Sequence, residues 1–205
     1  MEEQLFMPIQ NDDFLTKNDQ EIVSLTLKNK EIYQYLVKRY EEKLLRYIIR
    51  ISGVRTEDAE DILQNVFIKV YKNLNDFDVD LKFSSWIYRI THNETISYFR
   101  KSNSRPKTLD SEASEVFVNI IKDDLNIKLQ LEKSNLKEIF QKVILNLDEK
   151  YREVIILKYV EDMDYQEVSD VLKKPMGTVA TLLKKAKEQL KKEIIKNKTL
   201  FQEYV

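Results

Sequence analysis

Lysine occurs nine times between residues 173 and 198, against two glutamates, a local net of +7 in a chain whose formal charge is −1. The chemistry open to such a run is attraction to a phosphate backbone, which responds to local rather than total charge. The run begins as "KKPMGTVATLLKKAKEQLKKEI", residues 173–194. On a helical wheel Val179, Leu182, Leu183, Ala186 and Leu190 share one side, while Ala180, Thr181, Lys184, Lys187 and Lys191 share the other. An apolar side seats a helix, and a small and cationic side can enter a major groove. Thr178 and Thr181 can bond phosphate or base edges, and the Ala180 and Thr181 methyls can touch a thymine methyl. Lys184, Lys185 and Lys187 can reach phosphate, the first two also guanine. A solvated lysine face of no function has the same composition, so these residues alone leave both readings open.

A second group of polar residues lies on the helix expected from about Ser84 to Lys101. Arg89, His92, Asn93, Ile96 and Arg100 fall on one side of it, with cations and amides outward. Phe83, Ile87, Ile90, Thr91 and Tyr98 fall on the other, with Glu94 among them. An unpaired carboxylate buried there is costly, so either Glu94 meets a cation or the helix sits differently from this wheel.

Other chemistries are excluded. There is no cysteine, hence no disulfide, thiolate nucleophile or Cys-ligated zinc. His92 is the one histidine, which argues against a His-based triad or a His-rich metal site; no metal or cofactor is expected, and no catalysis. The opening "MEEQLFMPIQ" has no apolar core of a signal peptide, and no run approaches the ~18 apolar residues of a membrane span. A cytoplasmic protein without membrane insertion is the expectation.

The elements that must hold these residues are helical. Glycine occurs only at 53 and 177 and proline three times, while Lys, Glu, Leu and Ile dominate, so the fold class expected is all-α. Helices are predicted at 19–29 and 31–52, the second ended by Gly53. The next, 57–74, carries an apolar stripe from Ala59 to Leu74, with Thr56 as its cap and Glu57, Asp58, Glu60 and Asp61 at its positive end. Asp61, Gln64, Asn65 and Ile68 lie on its far side. Polar residues 75–83 break the pattern. Residues 102–124 read as a linker, followed by the alternating Leu125, Ile127, Leu129 and Leu131. Leu136 to Leu147 and 149–160 read as amphipathic helices. "DMDYQEVSDVLKKPMGTV" then reads as helix–turn–helix, with Asp164 and Glu167 spaced as a capping box and Pro175 at a helix start.

Two blocks carry a family resemblance. "DAEDILQNVFIKVYKNLNDFDVDLKFSSWIYRITHNETISYFRK", 58–101, resembles region 2 of bacterial sigma factors, and "LDEKYREVIILKYVEDMDYQEVSDVLKKPMGTVATLLKKAKEQLKK", 147–192, resembles their region 4. Their order and the absence of a region between them resemble the extracytoplasmic-function sigma factors. The resemblance implies two small helical domains: region 2 over 1–105, a linker over 106–132, and region 4 over 133–205. It implies an alternative sigma factor that binds the RNA polymerase core and directs transcription initiation from particular promoters.

The resemblance also distributes roles. Asp61, Gln64 and Asn65 match the surface that docks on the coiled coil of polymerase β′. The loop at 75–82, with Asn75 and Lys82, matches the one that holds a flipped base of the −10 element, an extrusion costing a few kcal/mol. Arg89, His92, Asn93, Ser97, Arg100 and Lys101 are offered to the melted strand. Trp86 either stacks on that strand or anchors the helix in the core, the simpler role. His92 matches a surface position where the family carries a cation. Thr178, Ala180, Thr181, Lys184, Lys185 and Lys187 match the −35 reader, beside a surface that leans on the β flap. An anti-sigma factor is the expected inhibitor. Ser97 stands where Asp is usual, Glu94 where an apolar residue is usual, Lys173 and Lys174 replace a common Gly and aliphatic residue, and Ala180 and Leu182 replace basic ones. Weaker −35 contacts are expected. The competing reading is a helix–turn–helix regulator that binds DNA without joining polymerase, favoured by Ser97 and Glu94.

Overall fold

The computed structural model describes residues 16–78, 80–102, 143–144 and 146–196, and the described residues contain helices and turns without a strand. The expected linker 106–132, the alternating residues 125–131, Leu136, Ile139, Phe140 and the tail from Asn197 lie outside them.

Four helices form the first group. They are α1 (Asp19–Lys28), α2 (Tyr33–Ser52), α3 (Thr56–Lys72) and α4 (Phe83–Ser102). Short 3₁₀ turns, Lys30–Ile32 and Leu74–Asp76, precede α2 and follow α3. α1 opens with a reciprocal cap: Glu21 N–H donates to Asn18 Oδ1 at 2.9 Å, and Asn18 N–H to Glu21 Oε2 at 2.8 Å. α2 ends at Gly53, whose φ of 64° suits a residue without Cβ. Thr56 is not the cap of α3 expected from sequence. It is the first helical residue, and Arg55 precedes it without a side-chain cap. The stripe Ala59, Ile62, Val66 and Val70 is at most 2% exposed and meets Leu36, Leu44, Tyr47 and Ile48 of α2 in one core. Asp19 ties α1 to α2, accepting from Arg39 at 2.7 Å and from the Tyr40 hydroxyl.

The second group holds α5 (Glu149–Ile155), continued by a π-helical turn Ile156–Val160, then α6 (Tyr165–Leu172) and α7 (Met176–Lys196). The capping box of α6 is present: Glu167 N–H donates to Asp164 Oδ1 at 2.8 Å and Asp164 N–H to Glu167 Oε2 at 2.9 Å. Val179, Leu183, Ala186 and Leu190 of α7 are at most 2% exposed and pack on α5 and α6, each larger side chain contributing about 1.5–3 kcal/mol by leaving water.

The two groups touch. α4 lies along α6, and α2 meets α5 and the π turn. The side of α4 expected to face solvent is therefore in part an internal surface.

Candidate nucleic-acid interface

The turn between α6 and α7 shows how the outward face of α7 is aimed. Lys173 adopts the left-handed conformation (φ 54°, ψ 41°) at the end of α6, a place where glycine is free of strain. Ser169 Oγ donates to the Lys174 carbonyl at 2.6 Å and Lys174 N–H to the Ser169 carbonyl at 3.2 Å, which closes the turn before Pro175. With its apolar side seated, α7 leaves Thr178, Ala180, Thr181, Lys184 and Lys185 exposed. Lys187 is half-buried, its Nζ 5.2 Å from the centre of the Tyr159 ring, so it is not the free lysine the wheel suggested. Thr181 Oγ1 donates to the Gly177 carbonyl at 2.8 Å. Its hydroxyl proton is thus engaged, leaving lone pairs and a methyl group for a partner. Leu182, where a basic residue is common, is half-buried among core side chains.

The face of α4 is divided. Asn93, Ser97 and Arg100 are exposed and Arg89 is half-exposed, and Asn75 is exposed on the preceding turn. The side chain of Lys101 lies outside the described residues. His92 is not the surface residue expected: it is 9% exposed, its Nδ1 3.2 Å from the Tyr47 hydroxyl and its Nε2 3.7 Å from Glu153 Oε1. Burial, and then the nearby Lys174 charge, push its pKa down to about 4, so it is neutral at pH 7. Glu153 is pushed up to about 7, by burial first and by Glu149 second. Lys82, exposed on the loop, is held by two carboxylates of the second group, Glu167 at 3.1 Å and Asp164 at 3.4 Å. Trp86 is 7% exposed, in a ring cluster with Phe77 at 5.3 Å and Phe83 at 5.6 Å, where it offers little surface for stacking on a strand. The same cluster roots the loop, while Asp76, Asp78 and Asp80 point a local negative charge outward. Such a loop suits the polar edge of a base better than a phosphate.

Glu94 has the cation its position called for. Lys69 Nζ lies 2.7 Å from its Oε1, and the carboxylate is 17% exposed. The departure at residue 94 is thereby accommodated within the first group.

The outer face of α3 carries Asp61, Gln64 and Asn65, all exposed, with Asn65 Nδ2 donating to the Asp61 carbonyl at 3.0 Å. Sequence reasoning placed Ile68 on this side without a role. It is 51% exposed, one turn beyond Gln64, and Tyr71 beside it is 38% exposed. An isoleucine in a polar helical face was the available signal for a contact surface.

Comparison with known proteins covers both groups. Residues 36–105 match the model of Sigma-70 region 2, and residues 137–190 match that of Sigma-70, region 4. The ECF RNA polymerase sigma factor SigW of Bacillus subtilis is 32% identical over 170 residues, covering 81% of this chain and 90% of that protein. The ECF RNA polymerase sigma-E factor of Escherichia coli K12 is 28% identical over 181 residues, covering 86% and 94%. Among solved structures, CnrH in complex with the cytosolic domain of CnrY superposes with a TM-score of 0.63 at 21% identity, covering 87% of this chain and 98% of that one. The sigma factor RpoE in complex with the anti-sigma factor NepR, from Bartonella quintana, gives 0.57 at 19% identity, covering 79% and 96%.

Proposed function

The chain belongs to the extracytoplasmic-function sigma factors, alternative sigma factors that direct transcription, and we propose how its surfaces divide that work. α7 reads duplex DNA at the −35 element through Thr178, Ala180, Thr181, Lys184 and Lys185. The carrying observation is that this row is exposed while Val179, Leu183, Ala186 and Leu190 behind it are buried. Thr181 and Ala180 contribute methyl contacts, and the lysines contribute phosphate affinity that falls with salt. Lys187 acts at most at the edge.

Asn75, Arg89, Asn93, Ser97 and Arg100 form the surface for the melted −10 strand, continued by Lys82 when it is released from its carboxylates. Trp86 supports that surface from the core. Strand opening follows from capture of an extruded base, a binding step without bond chemistry. The face of α3 with Asp61, Gln64 and Asn65, extended by Ile68 and Tyr71, docks on the β′ coiled coil of the polymerase core. Residues 1–105 and 133–205 then act as the two domains, with the second also leaning on the β flap. Among the described residues no helix is long and apolar enough to cross a membrane, in keeping with work at the chromosome in the cytoplasm. The complexes of CnrH with CnrY and of RpoE with NepR support an anti-sigma protein as the controlling partner.

Core polymerase mixed with the purified chain tests this reading. Co-elution with core, together with run-off transcription from the promoter of its own operon, is the expected result. Failure of both would favour the helix–turn–helix regulator that works without polymerase. That alternative no longer draws support from Glu94, which is paired.

A further inference from the structure

Among the described residues, three ion pairs and one carboxylate–imidazole contact cross between the two helical groups, and they share a direction. Glu161 meets Arg50 at 2.8 Å, Asp164 and Glu167 meet Lys82 at 3.4 and 3.1 Å, and Glu153 faces His92 at 3.7 Å. In each the carboxylate belongs to the second group and the basic residue to the first. Three of these acids fall in one short segment, "EDMDYQE", residues 161–167, with Asp162 as a fourth acid between them. Glu161 also accepts a hydrogen bond from the Tyr88 hydroxyl of α4 at 2.6 Å. A row of acidic oxygens against basic and hydroxyl donors is the pattern a nucleic-acid backbone presents to such a surface. Meanwhile Thr178, Ala180, Thr181, Lys184 and Lys185 stay exposed on α7.

We propose that the acidic segment Glu161–Glu167 is an internal competitor of the melted DNA strand at Lys82: it holds Arg50, Lys82 and Tyr88 of the first group while leaving the duplex-reading face of α7 open. The chain can then meet duplex DNA closed, and must open before a single strand reaches Lys82. This rests on the strand-binding role of α4 proposed above.

The test uses the full chain and the variant Glu161→Gln/Asp164→Asn/Glu167→Gln. These changes are isosteric, and Asn and Gln keep the cap of α6. Because the chain has no cysteine, Glu60→Cys and Glu188→Cys, both at exposed positions, give two clean sites for spin labels that report the separation of the groups. Affinity is read by fluorescence anisotropy with a labelled single-stranded oligonucleotide of degenerate sequence, and with the duplex of the same strand. The variant is expected to lose the label distance of the closed wild-type chain and show a longer, broader one. If about nine-tenths of the wild-type chain is closed, opening strengthens single-strand binding about tenfold, with duplex affinity changing far less. An unchanged label distance overturns the proposal, as does opening without a gain in single-strand affinity. Equal gains for single strand and duplex overturn it too, since lost negative charge alone would do that. Run-off transcription by Arg89→Ala and Asn93→Ala separates the underlying reading. If both transcribe as wild type, the strand-binding role of α4 falls; if both lose activity while the triple variant shows no selective gain, only the competition falls.

Discussion

Arg50 Nη1 and Glu161 Oε1 lie 2.8 Å apart, with both side chains at most 7% exposed, although 111 residues of chain separate them. A buried pair of this kind is held by geometry: removing one partner strands a charge and costs about 3–5 kcal/mol, whereas replacing both with apolar groups can be neutral. Arg50→Met and Glu161→Met are each expected to separate the two helical groups, and the double variant to bring them back together. Small-angle scattering of the four proteins checks this. A coupling energy under ~0.5 kcal/mol, obtained from closed and open populations, would show that the pair does not hold the contact.

Glu153 gives the molecule a pH dependence near neutrality. Its pKa rises from 4.5 in the unfolded chain to about 7 in the fold, through burial, with Glu149 on the same helix adding to it and Lys174, Arg152 and Arg100 opposing. Between those values the folded state holds the extra proton, so Glu153's stabilising contribution is complete below pH 4.5 and is lost as pH rises through 7. His92 works in the opposite sense, since a pKa lowered to about 4 makes stability rise between pH 4 and 6.5. The two effects oppose each other at acid pH, and Glu153 acts alone above about 6.5. Thermal unfolding should therefore show a falling Tm from pH 6.5 to 8, flattened by Glu153→Gln. An equal slope in both proteins would place the titration elsewhere.

Lys173 bears backbone strain at φ 54°. Lys173→Gly should stabilise the second group by about 1 kcal/mol, because glycine adopts this conformation without the Cβ clash. Differential scanning calorimetry reads the gain directly, and a lower Tm would mean that the lysine side chain outweighs the strain.

The Thr181 hydroxyl is engaged with the Gly177 carbonyl, which makes its methyl the freer group. Thr181→Val should keep affinity for −35 duplex, and Thr181→Ala should weaken it by about 1–3 kcal/mol if the methyl touches a base. Loss in Thr181→Val equal to that in Thr181→Ala would assign the contact to the hydroxyl lone pairs. Lys184→Ala should instead weaken all sequences alike and shallow the salt dependence by about one unit of slope.

Ile68 offers an apolar contact on an otherwise polar face. Ile68→Lys should reduce co-elution with core polymerase while leaving unfolding free energy within about 0.5 kcal/mol of wild type, as expected for an exposed site. Undiminished binding in a titration of core with labelled protein would confine the docking surface to Asp61, Gln64 and Asn65.

Much of the site was legible one helix at a time. The α7 wheel separated the buried Val179, Leu183, Ala186 and Leu190 from the exposed Ala180, Thr181 and Lys184, and the spacing of Asp164 and Glu167 announced their reciprocal cap. Lys187 and His92 were misplaced by the same method. A wheel has one inside and one outside, whereas Lys187 lies against Tyr159, and α4 has a second helical group against its outer side. Glu94 could be flagged as needing either a cation or a different seating of the helix, but not that Lys69 would pair with it from the neighbouring helix.

Sequence alone determined the helices, the capping box of α6 and the apolar stripes. Those rest on hydrogen bonds and side-chain spacings within about four residues, where the order of residues is itself the geometry. It also determined the family, since two blocks of matching residues survive whatever their mutual placement. The tertiary structure decided which polar residues meet water. His92 and Lys82 read as available to a strand, and each faces a carboxylate more than 60 residues away, as do Arg50 and Tyr88, for which the sequence offered no role. Burial of a charge is decided by whatever packs over it, and here that surface comes from the far end of the chain.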